Sequence, residues 1–143
     1  MELYKDSSQP IEKRIEDLLK RMTLEEKAAQ LCGDLPVELI QNGMPSIEQL
    51  KEKFPYGHGR LTQYSMVGLS DPKKIARLTN VLQKYFVEET RLGIPVALQS
   101  ENLCGYPAMG GTLFPSQMNV SCTWEPELAE EMSSVIGKES RAV

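Results

Sequence analysis

Histidine is almost absent: His58 stands alone in 143 residues. One imidazole leaves little for a zinc site or a histidine-based triad to use, so neither a metal nor a cofactor is expected. Cysteine is sparse as well. Cys32, Cys104 and Cys122 form neither a C-x-x-C pair nor an even disulfide set, which favours a reducing, cytoplasmic setting. Long apolar runs are missing. None approaches the roughly 18 residues that cross a bilayer, so no membrane partner is expected. The opening "MELYKDSSQP" lacks the basic start and apolar stretch of a signal peptide. Positive charge is in deficit, 16 Lys+Arg against 20 Asp+Glu for a formal net charge of −4, so there is no basic footprint for nucleic acid. What remains is ordinary globular composition, 41% hydrophobic and 25% charged, at the length of one domain.

The helices announce themselves by period and by caps. "SSQPIEKRIEDLLKRM" spaces Ile11, Ile15, Leu18, Leu19 and Met22 along one helical face, with Ser8 as a cap and Pro10 in the first turn. "TLEE" at residues 23–26 is a capping box that opens a second helix, whose buried stripe is expected at Leu24, Ala28 and Leu31. Two helices end to end, with no strand between, would form a lid or collar. Residues 32–45 read as loop, after which Ser46 and Gln49 offer another capping box. "SDPKKIARLTNVLQKYFVEETRLG" is the clearest helix. Asp71 caps it, Pro72 takes the first position, Ile75, Leu78, Leu82, Tyr85 and Phe86 form its inner face, and Gly93 stops it.

Between the helices lie short apolar segments. A strand is expected over roughly residues 60–66, a second in "IPVALQ" that is buried on both faces, and a third in "MNVSCT". "WEPELAEEMSSVIGKESRAV" closes the chain as a helix, with Pro126 in its first turn and Leu128, Met132, Val135 and Ile136 inward. Strand and helix therefore alternate, the pattern of a parallel α/β sheet. Two or three parallel strands leave open edges, and a (β/α)8 barrel takes about 250 residues. The chain reads as one partial domain over residues 1–143, the opening of something larger: helices over 8–31, then the first βα units over about 57–143.

One segment breaks the rhythm. After the apolar "IPVAL" comes "QSENLCGYPAMGGTLFPSQM", a polar, glycine-rich loop at the end of a strand. Long loops in small domains tend to carry function. Three blocks, "IEKRIEDLLKRMTLEEKAAQL", "NVLQKYFVEETRLGIPVALQSENLCGY" and "GGTLFPSQMNVSCTWEPELAEEMSSVIGKESRAV", together resemble the opening of glycoside hydrolase family 3 enzymes, the β-glucosidase and β-xylosidase group. The resemblance covers most of the chain and is weakest over residues 32–60. It implies an α/β fold that is the N-terminal portion of a (β/α)8 TIM-like barrel, incomplete in this chain. It also implies a retaining hydrolase of β-linked glycosides, with a carbohydrate as partner. In the family the acid of this loop accepts hydrogen bonds from hydroxyls of the innermost sugar, and Glu101 matches that position. An ionised carboxylate is an acceptor-only group suited to clamping two adjacent hydroxyls.

Three departures accompany the resemblance. Cys104 stands where the family usually has histidine, Gly111 where it has alanine, and Glu125 where it has a capping aspartate. Catalysis is a larger matter. The family's nucleophile and its further sugar-clamping elements come later, so no catalytic residue is expected within residues 1–143 and the chain alone should be chemically silent. A non-catalytic truncated or degenerate module for sugar binding or assembly is the rival reading. Self-association through open strand edges is a third. The remaining conspicuous residues have plainer readings: Cys104 as filler in the loop, His58 as a turn residue between glycines, and Trp124 as core rather than a sugar-stacking ring. Arg91 and Arg141 read as structural ion-pair partners.

Overall fold

A computed structural model describes residues 2–35, 39, 44–62 and 68–143. The caps written in the sequence are formed. A short 3-10 turn at Leu3–Lys5 leads to α1 (Ile11–Arg21) and α2 (Leu24–Gln30). The Thr23 hydroxyl accepts from the Glu26 amide while the Glu26 carboxylate accepts from the Thr23 amide, a complete capping box at the start of α2. Ser46 and Gln49 build the same device at α3 (Ile47–Lys53). Asp71 accepts from Lys73 at the start of α4 (Pro72–Lys84), whose end widens into a π turn over Tyr85–Glu89. α1 departs from expectation, since Pro10 rather than Ser8 holds the N-cap position. Ser8 is engaged instead by Asp6, which accepts from both its amide and its hydroxyl.

Three short strands form a parallel sheet in the order β1 (Gly33–Asp34), β2 (Arg60–Thr62), β3 (Ala97–Gln99). β1 falls in the segment expected to be loop; two residues without apolar alternation give no sequence signal. The expected strand over 60–66 is present at Arg60–Thr62, and residues 63–66 lie outside the described residues. Gly59 makes the assembly close-packed. Its amide donates to the Ala29 carbonyl at 3.0 Å and its carbonyl accepts from Ala97 at 3.0 Å. A Cβ at this position would strike the Gln30 carbonyl, so no other residue fits without moving α2 off the sheet.

The main core gathers Leu50, Phe54, Leu61, Leu78, Leu82 and Phe86 with Leu39, Tyr85 and Val96. Burying each such side chain contributes about 1.5–3 kcal/mol. The Tyr85 hydroxyl finds the Phe54 carbonyl at 2.9 Å, so its polar end is satisfied within the core. The inner face expected for α4 is thus the face that is buried.

Other stripes point outward. α1 buries no residue at all, with Ile11, Ile15 and Leu19 exposed, and on α2 Leu24 and Leu31 are exposed to 78% and 91%. A period of this kind marks an apolar face but not what covers it: of the expected stripes only Leu18 and Met22 are half-buried. β3 is likewise open, Ala97 and Leu98 both exposed, rather than buried on both faces. The "MNVSCT" segment is not a strand. It forms α5 (Gln117–Ser121), opened by Ser116, so that Val120 packs on Met132 and Ile136 of α6 (Pro126–Arg141). Only Met132 and Ile136 of the four expected inner residues of α6 are buried; Leu128 and Val135 are exposed.

Arg91 carries the ion pair expected of it. Its guanidinium donates through Nε to Glu26 Oε1 at 2.8 Å and through Nη2 to both Glu26 Oε2 and the Arg21 carbonyl. The buried Glu26 carboxylate therefore caps α2 and ties it to the chain leaving α4. Those bonds from Arg91 hold the carboxyl below its ordinary 4.5. Because folding favours the ionised form, the stabilisation is present above that ordinary value and is lost as pH falls through the lower folded one. Glu26→Gln should cost about 2 kcal/mol at pH 7, the scale of a charge-assisted hydrogen bond at a half-exposed arginine. The gap to the wild type should narrow progressively below pH 4.5, as read by urea unfolding across pH. A gap independent of pH would refute this account.

Candidate functional site

The loop over residues 100–116 leaves the C-terminal end of β3 and folds back across the last turn of α6. It is tied at several points. The Asn102 side-chain amide donates to Ser140 Oγ at 2.8 Å, and Thr112 donates to Glu139 twice, from its amide at 2.9 Å and from Oγ1 at 2.6 Å. Within the loop, Phe114 donates to the Cys104 carbonyl at 2.8 Å, and Met109 reaches the Ser70 carbonyl at 2.7 Å ahead of α4. Gly105 turns with φ at 123°, a conformation that side chains disfavour, and a Cβ there would strike the Thr112 carbonyl. The glycines therefore let the two limbs of the loop close on each other.

Between those limbs is a hollow of about 350 Å³, with Glu101, Leu103, Cys104, Tyr106, Thr112 and Leu113 on its walls. Glu101 is exposed at this hollow. Among the described residues no hydrogen bond or ion pair engages its carboxylate, which leaves its acceptor capacity open to a ligand. Tyr106 offers a phenol whose pKa is pushed up by burial, so it stays protonated and able to donate. Glu139 is different: its carboxyl is held below the ordinary range by the Thr112 hydroxyl and amide. A second hollow, about 250 Å³, lies behind the loop between α4, β3 and α6, where the buried Gln99 Oε1 and Asn102 Oδ1 have no partner among the described residues. The chemistry of this end of the sheet is that of hydrogen-bonding to a polar ligand. Among the described residues no three of His, Cys, Asp and Glu gather as a metal site would require.

The other residues singled out in the sequence lie elsewhere. Cys104 is half-buried on the wall of the first hollow, as loop filler would be. His58 precedes β2 and so sits at the opposite end of the parallel sheet from Glu101. It is more than a turn residue: the ring is buried against Phe54 at 4.8 Å, and its pKa is pushed down by that burial against the opposing pull of Asp34. Trp124 is not core. Trp124 adopts φ of 59° where α5 turns into α6, and the side chain is 90% exposed and outside the walls of the hollow. Glu125 makes no capping bond to α6, as its extra methylene suggests. Arg141 forms no ion pair among the described residues, against expectation; Glu139, two residues back on the same helix, lies on a different face. Asn102, Tyr106, Thr112 and Glu139 went unremarked in the sequence. Nothing local marks them, except that an acid in the last turn of a helix opposes the helix dipole.

Comparison with known proteins identifies the family. Residues 23–143 match the model of the glycosyl hydrolase family 3 N terminal domain. A protein of Formosa agariphila named "Putative beta-xylosidase" is 33% identical over 142 residues, 96% of this chain and 18% of that protein. The protein named "Beta-glucosidase C" of Emericella nidulans is 27% identical over 154 residues, 99% of this chain and 24% of that one. The "Periplasmic beta-glucosidase/beta-xylosidase" of Dickeya chrysanthemi is 26% identical over 151 residues, 98% and 23%. The chain thus spans about a fifth of the length of these relatives. With most of its length matched, the chain belongs to glycosyl hydrolase family 3, in that family's N-terminal domain.

Proposed function

We propose that these residues form the opening βα units of a (β/α)8 barrel in a retaining β-glycosidase acting on β-linked glucosides or xylosides. Within it, Glu101 is the acid that holds hydroxyls of the bound sugar. The observation that carries this reading is the placement of Glu101. It stands without a partner among the described residues at a 350 Å³ hollow, on the loop that follows a parallel strand at its C-terminal end. That is the end at which (β/α)8 barrels keep their sites. The names of the relatives support the substrate class. The open apolar stripes of α1 and α2 support a further part of the barrel as the surface that covers them. Three free cysteines, two of them exposed, support a reducing, cytoplasmic setting, although one relative carries a periplasmic name.

Retention requires two carboxyl groups about 5–5.5 Å apart, one as nucleophile and one as acid/base. Glu139 is committed to Thr112, while among the described residues nothing engages Glu101. In the family the nucleophile comes later than these residues, so in this reading Glu101 binds and the displacement falls to carboxylates outside residues 1–143.

Three outcomes follow. The 143-residue chain alone should show no turnover of aryl β-glycosides above a Glu101→Ala control. In the complete enzyme, Glu101→Ala should lower kcat/KM for aryl β-glucosides or β-xylosides by about 10- to 100-fold, the loss of one or two charge-assisted hydrogen bonds; an unchanged value would remove Glu101 from the site. The intact mass of the native product should be several times 16.1 kDa. A product of 16.1 kDa would instead favour the non-catalytic binding module.

A further inference from the structure

Glu139 and Ser140 are neighbours in the last turn of α6, and each grips a different limb of the loop that carries Glu101. The first limb is held at Asn102, the residue next to Glu101, through its 2.8 Å bond to Ser140 Oγ. That hydroxyl donates in turn to the Ile136 carbonyl at 2.7 Å, so its lone pair is fixed toward Asn102. The second limb is held at Thr112 by both oxygens of Glu139, at 2.9 and 2.6 Å. The limbs are joined to each other by Phe114 and Cys104 at 2.8 Å.

The choice of an acid here is informative. The last turn of a helix presents unpaired carbonyls and favours cations, as Lys138 and Arg141 illustrate. Glu139 works against that field, and α6 would be the more stable helix without it. Two hydrogen bonds across 27 residues give the misplaced charge its partner. A carboxylate is also the group that can accept from the amide and hydroxyl of one threonine at once.

We infer that the last turn of α6 is a clamp that sets the position of Glu101, and that Glu139 is a positioning residue that does not itself touch the sugar. This deepens the proposed function and rests on it, since Glu101 must be the sugar contact for its position to matter.

The test is a double-mutant cycle in the complete enzyme, with kcat and KM measured on an aryl β-glucoside for Glu101→Ala, Glu139→Ala and the pair. Glu139→Ala should raise KM by about tenfold with a smaller change in kcat, because a binding contact is misplaced rather than a reacting group removed. Added to Glu101→Ala it should cost almost nothing more, since it acts through Glu101. Thr112→Ser, which keeps both donors, should behave as the wild type, and Thr112→Val, which keeps only the amide, should show part of the loss. If Glu139→Ala does not fold, Thr112→Val takes its place in the cycle. Losses that add fully in the double variant, or a wild-type KM for Glu139→Ala, would overturn the clamp while leaving the proposed function standing. A wild-type KM for Glu101→Ala would overturn both.

Discussion

The sheet and the end of α2 are held together by a backbone contact at Gly59. Its amide reaches Ala29 at the end of α2 and its carbonyl accepts from Ala97, while the next residue, Arg60, bonds to Cys32 and begins β2. One helix terminus and three strands are therefore joined within two residues, with no space for a side chain between them. The contact fixes more than packing. Because β1, β2 and β3 are parallel and meet at this end, their opposite ends must emerge together, and the loop with Glu101 emerges there. Close packing at the N-terminal end thereby decides where a ligand can be met.

Charged groups extend that frame. Glu26 serves as capping acid and as the buried half of the Arg91 pair, so one carboxylate joins α2 to the residues that follow α4. The Tyr4 hydroxyl donates to the adjacent Leu92 carbonyl at 2.8 Å and draws the N-terminal turn to the same place. These bonds cross tens of residues, and each satisfies a group that burial would otherwise leave unpaired. The neighbouring apolar stripe on α1 contributes nothing of this kind, since its isoleucines face outward.

That contrast separates what the sequence reveals from what it hides. Caps were readable at Thr23, Ser46 and Asp71 because a cap is a local bond, complete within four residues. The inner face of α4 was readable because its partner, the sheet, lies in the same chain. Ile11, Ile15 and Leu24 obey the same period, yet a period states only that a face is apolar and not that a surface waits for it. Residues 118–123 failed for another reason: a short segment with a single buried valine satisfies either period, and the choice fell to packing against Met132 and Ile136. Glu101 is proposed from its resemblance to a family motif, which is a pattern within a few residues. Glu139, 38 residues later, carries no such pattern, because its bonds to Thr112 exist only once α6 is laid beside the loop.

The division of labour between the two acids then has a physical logic. A carboxylate that is to receive sugar hydroxyls must keep its lone pairs free, and a free charged side chain on a long loop is poorly held. Supplying order through its own oxygens would consume the acceptors that binding needs. The chain resolves this by placing the order elsewhere. Asn102 and Thr112 take the restraint, and Glu139 and Ser140 provide it, so among the described residues nothing occupies the oxygens of Glu101. The glycine at 105 lets the limbs approach closely enough for both grips to form at once. An acid disfavoured by the dipole of its own helix suits such an arrangement: its stabilisation comes from the loop rather than from the helix, and it orders the loop that carries the carboxylate proposed to bind.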